Sequence, residues 1–98
     1  MWYAIICEDI PNSLPLRKAA RPAHLARLQM LQNAGRLLTA GPLPAIDSEH
    51  PGENGFTGSL IIAEFESLKN AEEWASEDPY ADHGIYAQVT IKPFKQVF

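Results

Sequence analysis

Four short apolar runs and two segments of helical periodicity follow one another along the chain, with one helical segment after the first run and the other after the third. This order constrains the fold more than any other feature of the chain. The runs are rich in aliphatic and aromatic residues and end at turn-forming residues, as buried strands do. The predicted strands cover residues 2–7, 36–40, 57–65 and 85–91, and the predicted helices cover about 21–34 and 67–77. We therefore expect an α+β, ferredoxin-like split βαβ fold (β-α-β-β-α-β), with two helices on one face of a four-stranded antiparallel sheet.

Pro22 determines where the first helix is expected to begin. Proline is tolerated in the first helical turn, but deeper in a helix it removes a hydrogen bond. The helix is therefore expected to start, or to restart after a kink, near Arg21, which leaves residues 12–20 as a loop with one helical turn at most.

His24 shares a helical face with Leu25, Leu28 and Leu31, so its ring is predicted to point toward the interior. In the first turn after Pro22, the helix dipole and desolvation would both favour the neutral imidazole that a general base requires. The alternative is a histidine at the edge of the core whose ring is simply hydrogen-bonded.

Composition describes a compact domain spanning residues 1–98, with 46% hydrophobic and 20% charged residues. The net charge of -4 argues against nucleic acid as a partner, because phosphate binding needs an excess of lysine and arginine. Cys7 is the only cysteine, which excludes an internal disulfide and favours a reducing, cytoplasmic location. We expect no membrane partner, because no apolar run approaches membrane-spanning length and no basic leader is present.

The predicted sheet has a second face that two helices cannot cover. Residues 2–6 and 60–63 are apolar on both sides, where a water-exposed face would show alternation. In the fourth strand the alternation places Tyr86, Gln88, Thr90 and Lys92 together on one mixed side. We therefore expect a homodimer that packs sheet against sheet through the open face.

Asp78-Pro79-Tyr80 follows the second predicted helix. An aspartate before proline commonly forms a turn. The functional interpretation is that Asp78 accepts a hydrogen bond from His24, fixes its tautomer and stabilises its protonated form.

The remaining candidates are substrate-binding residues. Arg17 and Arg21 share His24's side if the helix is continuous, and together they suit an anionic group. The alternative is a solvated basic face, which is favoured for Arg17 over Arg21. Gly41-Pro42 is expected to end the second strand and to open a long irregular loop, Leu43–Phe56, where the backbone permits close approach of a ligand. The full set of substrate-binding candidates is Arg21, Gly41, Pro42, Ser59 and Tyr80.

We expect neither a metal nor an organic cofactor. His24, His50 and His83 lack metal-ligand spacing, and the last two are expected to be exposed. A nucleophilic role for Ser59 is not favoured because it lacks a G-x-S-x-G context, and no phosphate-binding glycine loop exists.

Several blocks in fixed order resemble the YciI-like family from end to end. They are residues 21–25 (RPAHL), 35–42 (GRLLTAGP), 55–59 (GFTGS), 63–67 (AEFES), 78–80 (DPY) and 92–95 (KPFK). The resemblance implies a fold of the dimeric α/β barrel superfamily and an active site built on His24 and Asp78. It also implies kinship with small lyase or dehalogenating enzymes that act on hydroxylated aromatic rings, with muconolactone isomerase-like proteins and with cofactor-free monooxygenases.

Together these observations predict a small cytoplasmic enzyme of lyase, dehalogenase or isomerase type. It would use His24 and Asp78 for general acid/base chemistry on a small cyclic or aromatic, anionic substrate. The alternative is a non-catalytic module that binds a small molecule or another protein.

Overall fold

The chain folds into a four-stranded antiparallel sheet with three helices, in a computed structural model that describes residues 1–98. The elements are β1 Trp2–Asp9, α1 Leu14–Asn33, β2 Leu37–Pro44, β3 Phe56–Glu64, α2 Leu68–Ser76, α3 Pro79–Asp82 and β4 Tyr86–Phe94. The order of the strands in the sheet is β2-β3-β1-β4. This arrangement confirms the predicted ferredoxin-like α+β fold of the dimeric α/β barrel type. The second predicted helix is confirmed as α2. The structure adds a short helix that was not predicted, α3, after Asp78, and a 3-10 turn at Gly52–Asn54 before β3.

The core lies between the helices and one face of the sheet. Alternation in β1 turns Tyr3, Ile5 and Cys7 to this face, where Ile5 pairs with Ile61 of β3. Leu31 of α1 and residues of α2 close the core from the other side. The members of this cluster are Tyr3, Ile5, Cys7, Leu31, Ile61, Ala63, Phe65, Ala71 and Ala75.

The helix α1 begins at Leu14 and contains Pro22 in its interior, so the predicted start near Arg21 is wrong. An internal proline costs about 3 kcal/mol in an exposed helix, but here one continuous face of α1 is buried against the rest of the chain. That face consists of Arg17, Ala20, His24 and Leu31. Neither α1 nor any other helix is long and apolar enough to cross a membrane.

Two consequences of the longer α1 correct the expectations for His24. The residue lies about three turns into the helix instead of in its first turn, so the unpaired N–H groups and the dipole of the helix N-terminus are too distant to act on it. The buried stripe is also rotated from the predicted one, because Leu25 is 44% exposed. His24 itself is buried, as predicted.

The strand β2 continues through Gly41-Pro42 to Pro44, so the expected end of this strand is also wrong. It lies at the edge of the sheet, where a proline without an N–H is tolerated. Pro42 pairs with Ser59 of β3, and the irregular loop is thereby shortened to residues 45–55.

The strand β4 begins with a bulge that reverses the expected orientation of Tyr86. Gln88 pairs with Glu8, but Tyr86 pairs with Asp9, so Ala87 is the extra residue. Tyr86 therefore faces the helices and packs against the core, instead of lying with Gln88 on the open face.

The open face of the sheet is apolar at its centre. Ala4 and Ile6 of β1 pair there with Ile62 and Leu60 of β3. Ile6 and Leu43 remain 37% and 39% exposed, and α1 and α2 pack on the opposite face of the sheet. The face has the character expected of a surface that another molecule covers.

Gly58 is the one glycine of the sheet that another strand approaches too closely for a side chain. A Cβ at this position would collide with the carbonyl oxygen of Cys7, whereas a Cβ at Gly41 would meet no atom within 4 Å. We expect Gly58→Ala to lower the free energy of unfolding by about 3 kcal/mol, because β1 would have to move. Gly41→Ala is the matched control in urea denaturation, and equal midpoints for the two variants would contradict this account.

Candidate active site

His24 and Asp78 form a buried pair that links α1 to the turn before α3. The imidazole Nδ1 lies 2.9 Å from Asp78 Oδ1 and 3.0 Å from Oδ2. Both residues are buried, at 7% and 2% exposure. The pairing suggested by the sequence is therefore present as a contact.

The position of Asp78 follows from its local sequence. Its backbone is extended, and its Oδ1 accepts a hydrogen bond of 2.8 Å from the Tyr80 N–H, so Asp78 is the N-cap of α3. Pro79 occupies the first helical position, where its missing N–H costs nothing. The aspartate is thus both a turn former and the partner of His24.

The Asp78 contact determines which nitrogen of His24 is free. A carboxylate accepts hydrogen bonds, so Nδ1 carries the proton and Nε2 holds the lone pair. Nε2 makes no hydrogen bond and is not fully buried, because the fully buried polar atoms without a hydrogen bond are Arg27 Nη1 and the Tyr86 hydroxyl. Since His24 lines a cavity, Nε2 is open to that cavity.

Tyr80 stacks on His24 with the two rings nearly parallel. The ring centroids are 3.9 Å apart and the interplanar angle is 4°. Tyr80 is buried, and burial raises the pKa of its phenol, although the nearby Arg17 and Arg21 act in the opposite direction. The phenol therefore remains protonated at neutral pH.

Arg17 forms a second buried pair, with Asp9 at the end of β1. Its Nε lies 2.6 Å from Asp9 Oδ2, and its Nη2 donates to the Gly58 carbonyl at 2.9 Å and to Ser59 Oγ at 2.8 Å. Burial alone would lower the pKa of Arg17, but the hydrogen bond and charge of Asp9 outweigh it and raise that pKa. The expectation that Arg17 is solvated is therefore wrong, and Arg21 is the exposed arginine.

Two sequence signals point to the Arg17–Asp9 pair. Asp9 continues the inward alternation of Tyr3, Ile5 and Cys7, and Arg17 precedes His24 by seven residues, which is two helical turns. The second signal depends on a helix that is continuous through Pro22, and a helix that begins near Arg21 excludes it.

The cavity of about 320 Å³ between α1, β2 and β3 brings the sequence-predicted residues together. Its lining includes His24, Arg21, Gly41, Pro42, Ser59 and Tyr80, while Asp78 lies behind His24. Its charged lining residues are Arg17, Lys18 and Arg21, and no carboxylate lines it. In a chain of net charge -4, this concentration of positive charge favours an anionic ligand.

The other titratable groups are placed as follows. Burial raises the pKa of Cys7 to about 12, so its thiol is not a nucleophile at neutral pH. No three His, Cys, Asp or Glu side chains lie close enough together to hold a metal ion. His50 and His83 are exposed, as predicted.

Replacement of Arg17 tests the importance of the second pair for the fold. We expect Arg17→Met to lower the free energy of unfolding by about 3–5 kcal/mol, because it leaves the buried Asp9 carboxylate without its cationic partner and with the Ser13 hydroxyl as its donor. Arg21→Met removes an exposed charge from the same helix and should change the free energy of unfolding by less than about 0.5 kcal/mol. Similar urea midpoints for the two variants would show that the Asp9 pair contributes little.

Comparison with known proteins gives the relatives of this chain and a solved structure of similar fold. The profile of the YCII-related domain matches residues 1–95. Protein YciI of Escherichia coli O6:H1 and a protein of Haemophilus influenzae are each 59% identical over 98 residues, covering 100% of both chains. The solved structure of 5-chloro-2-hydroxyhydroquinone dehydrochlorinase (TftG) from Burkholderia phenoliruptrix, in complex with 2,5-dihydroxybenzoquinone, superposes with a TM-score of 0.85. It is 28% identical and covers 97% of this chain and 94% of its own.

Proposed function

The chain belongs to the YCII-related domain family, and from that premise we propose that it is a small enzyme using His24 and Asp78 for general acid/base chemistry. The observation that carries the proposal is the orientation of His24. Its Nδ1 is bound to a buried carboxylate, and its Nε2 opens into a cavity. This arrangement gives a positioned base whose conjugate acid is stabilised by the adjacent Asp78.

The reaction we propose is a proton transfer of lyase, dehalogenase or isomerase type. In the lyase or dehalogenase case, Nε2 of His24 takes a proton from the substrate while the bond to the leaving group breaks, the leaving group departs with the bonding electrons, and the imidazolium then releases the proton to water. In the isomerase case, Nε2 returns the proton to another atom of the substrate. Asp78 balances the charge of the imidazolium in each case. The similarity to a dehydrochlorinase that was solved with a dihydroxybenzoquinone supports a small cyclic or aromatic substrate with an anionic group. The chemistry requires no organic cofactor in this proposal.

The other cavity residues bind the substrate in this proposal. Arg21 attracts an anionic group, and Ser59, Tyr80 and the Gly41-Pro42 segment shape the pocket. A volume of about 320 Å³ lies within the range of small-molecule sites. We place the enzyme in the cytoplasm because its single thiol, Cys7, suits a reducing compartment.

Turnover tests the role of His24. We expect His24→Ala to reduce kcat about 10²–10⁴-fold, because the base is removed, and Asp78→Asn to reduce kcat because Nδ1 loses its acceptor. The assay screens lyase and isomerase substrates, beginning with chloride release from 5-chloro-2-hydroxyhydroquinone. In the wild type, ¹⁵N–¹H spectra should show the proton of His24 on Nδ1, and Asp78→Asn should alter that pattern.

The control for these variants is His83→Ala, which removes an exposed imidazole that is hydrogen-bonded only to the Pro79 carbonyl. It should retain full turnover. A wild-type protein that binds ligands in the screen and converts none of them would favour the non-catalytic binding module. Loss of the fold in His24→Ala, together with no turnover by the wild type, would make the His24–Asp78 pair a structural contact.

We further propose that the protein is a homodimer joined through the open face of its sheet. The apolar side chains at the centre of this face, among them Ile6 and Leu60, have no helix over them. A second copy of the chain would bury them by placing one sheet against the other.

Sedimentation equilibrium at micromolar concentration tests the dimer. We expect the wild type to sediment at twice the mass of the chain and Ile6→Asp to sediment as a monomer, because the change places a charge at the centre of the interface. Met30→Asp is the matched control, since Met30 is a 72% exposed apolar residue on α1. A monomeric wild type would contradict the proposal.

A further inference from the structure

Three polar atoms open into the cavity without a partner in the protein. They are Nε2 of His24, the hydroxyl of Tyr80 and Nη1 of Arg17, none of which makes a hydrogen bond. Only two polar side-chain atoms, Arg27 Nη1 and the Tyr86 hydroxyl, are both fully buried and without a hydrogen bond. The three cavity atoms also lack a hydrogen bond but are not fully buried, so they are accessible. All three residues line the cavity, and each atom is therefore available to a ligand there.

The ring of Tyr80 holds these groups together. Arg17 and His24 are two turns of α1 apart, about 10 Å along the helix axis. The Tyr80 ring contacts both, with its centroid 3.9 Å from the His24 centroid and 5.0 Å from the Arg17 guanidinium carbon. The tyrosine therefore fills the interval between the arginine and the histidine.

We infer that Arg17 Nη1 and the Tyr80 hydroxyl form a donor pair that binds an anionic oxygen of a small planar substrate beside His24. The inference deepens the proposed function, on which it rests for the statement that His24 acts on the same ligand. It assigns the direct hydrogen bonds to the anionic group to a buried arginine and a tyrosine, while the exposed Arg21 contributes its positive charge at the cavity.

Arg17 is held in position before any ligand arrives. Its Nε and Nη2 are fixed by Asp9, Gly58 and Ser59, so Nη1 loses no rotational freedom when it donates. Arg21 is exposed and must be ordered to make the same contact. Because Asp9 balances much of the charge of Arg17, the site presents a directed donor within the positive field of Lys18 and Arg21.

Tyr80 supplies a neutral donor. Its side chain is buried between two rings and a guanidinium, and burial raises the pKa of the phenol, so it donates its proton to an anionic oxygen instead of repelling it. The hydroxyl has no partner in the protein, and its removal leaves no internal group unsatisfied. Tyr80→Phe is therefore a clean test of this donor.

The test measures binding of two anions and one neutral analogue to the full chain. Benzoate presents a carboxylate, 4-nitrophenolate presents a phenolate, and benzamide has the size of benzoate without its charge. Titration calorimetry gives the dissociation constant of each, and the visible absorbance of 4-nitrophenolate gives an independent value. Preference for benzoate or for 4-nitrophenolate distinguishes a carboxylate from a phenolate as the group the site takes.

We expect both anions to bind the wild type more tightly than benzamide, and Tyr80→Phe to weaken anion binding about tenfold or more, since a donor to a charged oxygen is lost. The thermal midpoint of Tyr80→Phe should remain that of the wild type. Tyr3→Phe removes a hydroxyl from the core outside the cavity and should leave anion binding unchanged. In the wild type, benzoate should shift the ¹⁵N resonances of the Arg17 guanidinium, which tests the site even if a variant fails to fold.

The proposal is overturned if neither anion binds the wild type, or if Tyr80→Phe binds both as tightly as the wild type does. It is equally overturned if Arg21→Gln abolishes binding while benzoate leaves the Arg17 resonances unmoved. Anion binding that depends on Tyr80, in a protein that converts no substrate, would support the donor pair and remove the catalytic function.

Discussion

The hydrogen bonds of the Asp78 carboxylate are the interactions on which the rest of the site depends. The carboxylate caps α3 by accepting a hydrogen bond from the Tyr80 N–H, and it accepts a hydrogen bond from Nδ1 of His24, so one buried carboxylate joins α1 to the turn after α2. A buried carboxylate is stable only when its oxygens are hydrogen-bonded, and these contacts provide that. The same two bonds set the position of Tyr80 and the tautomer of His24, which makes Nε2 the atom offered to a ligand.

A second buried pair extends this arrangement along α1. Arg17 reaches Asp9 and β3, and its guanidinium packs over the ring of Tyr80, which stacks in turn on His24. The side chains that line the cavity are thus held in place by contacts with the protein on the side that faces away from a ligand. Such preorganisation lowers the entropy lost on binding and favours both binding and acid/base chemistry.

Much of this arrangement was predictable from local pattern. Apolar runs that end at turn-forming residues predict the strands at residues 2–7 and 57–65, and Asp78-Pro79 predicts a turn after the second helix. His24 was recognised as an ionisable group on a buried helical face. A helix that begins near Arg21 leaves Arg17 in the preceding loop, but burial of a continuous face keeps α1 helical through Pro22 and places Arg17 on that face. Pro42 likewise does not end β2, because a proline is accommodated in an edge strand.

The sequence by itself determined the order of the elements and the inward position of His24, because apolar runs and helical periodicity are encoded over a few neighbouring residues. Only the tertiary structure decided that α1 passes through Pro22, that Arg17 is buried on Asp9, and that a bulge turns Tyr86 to the core. Each of these features is locally unfavourable or locally undetermined. Each exists because contacts between distant elements supply the free energy that the local sequence does not.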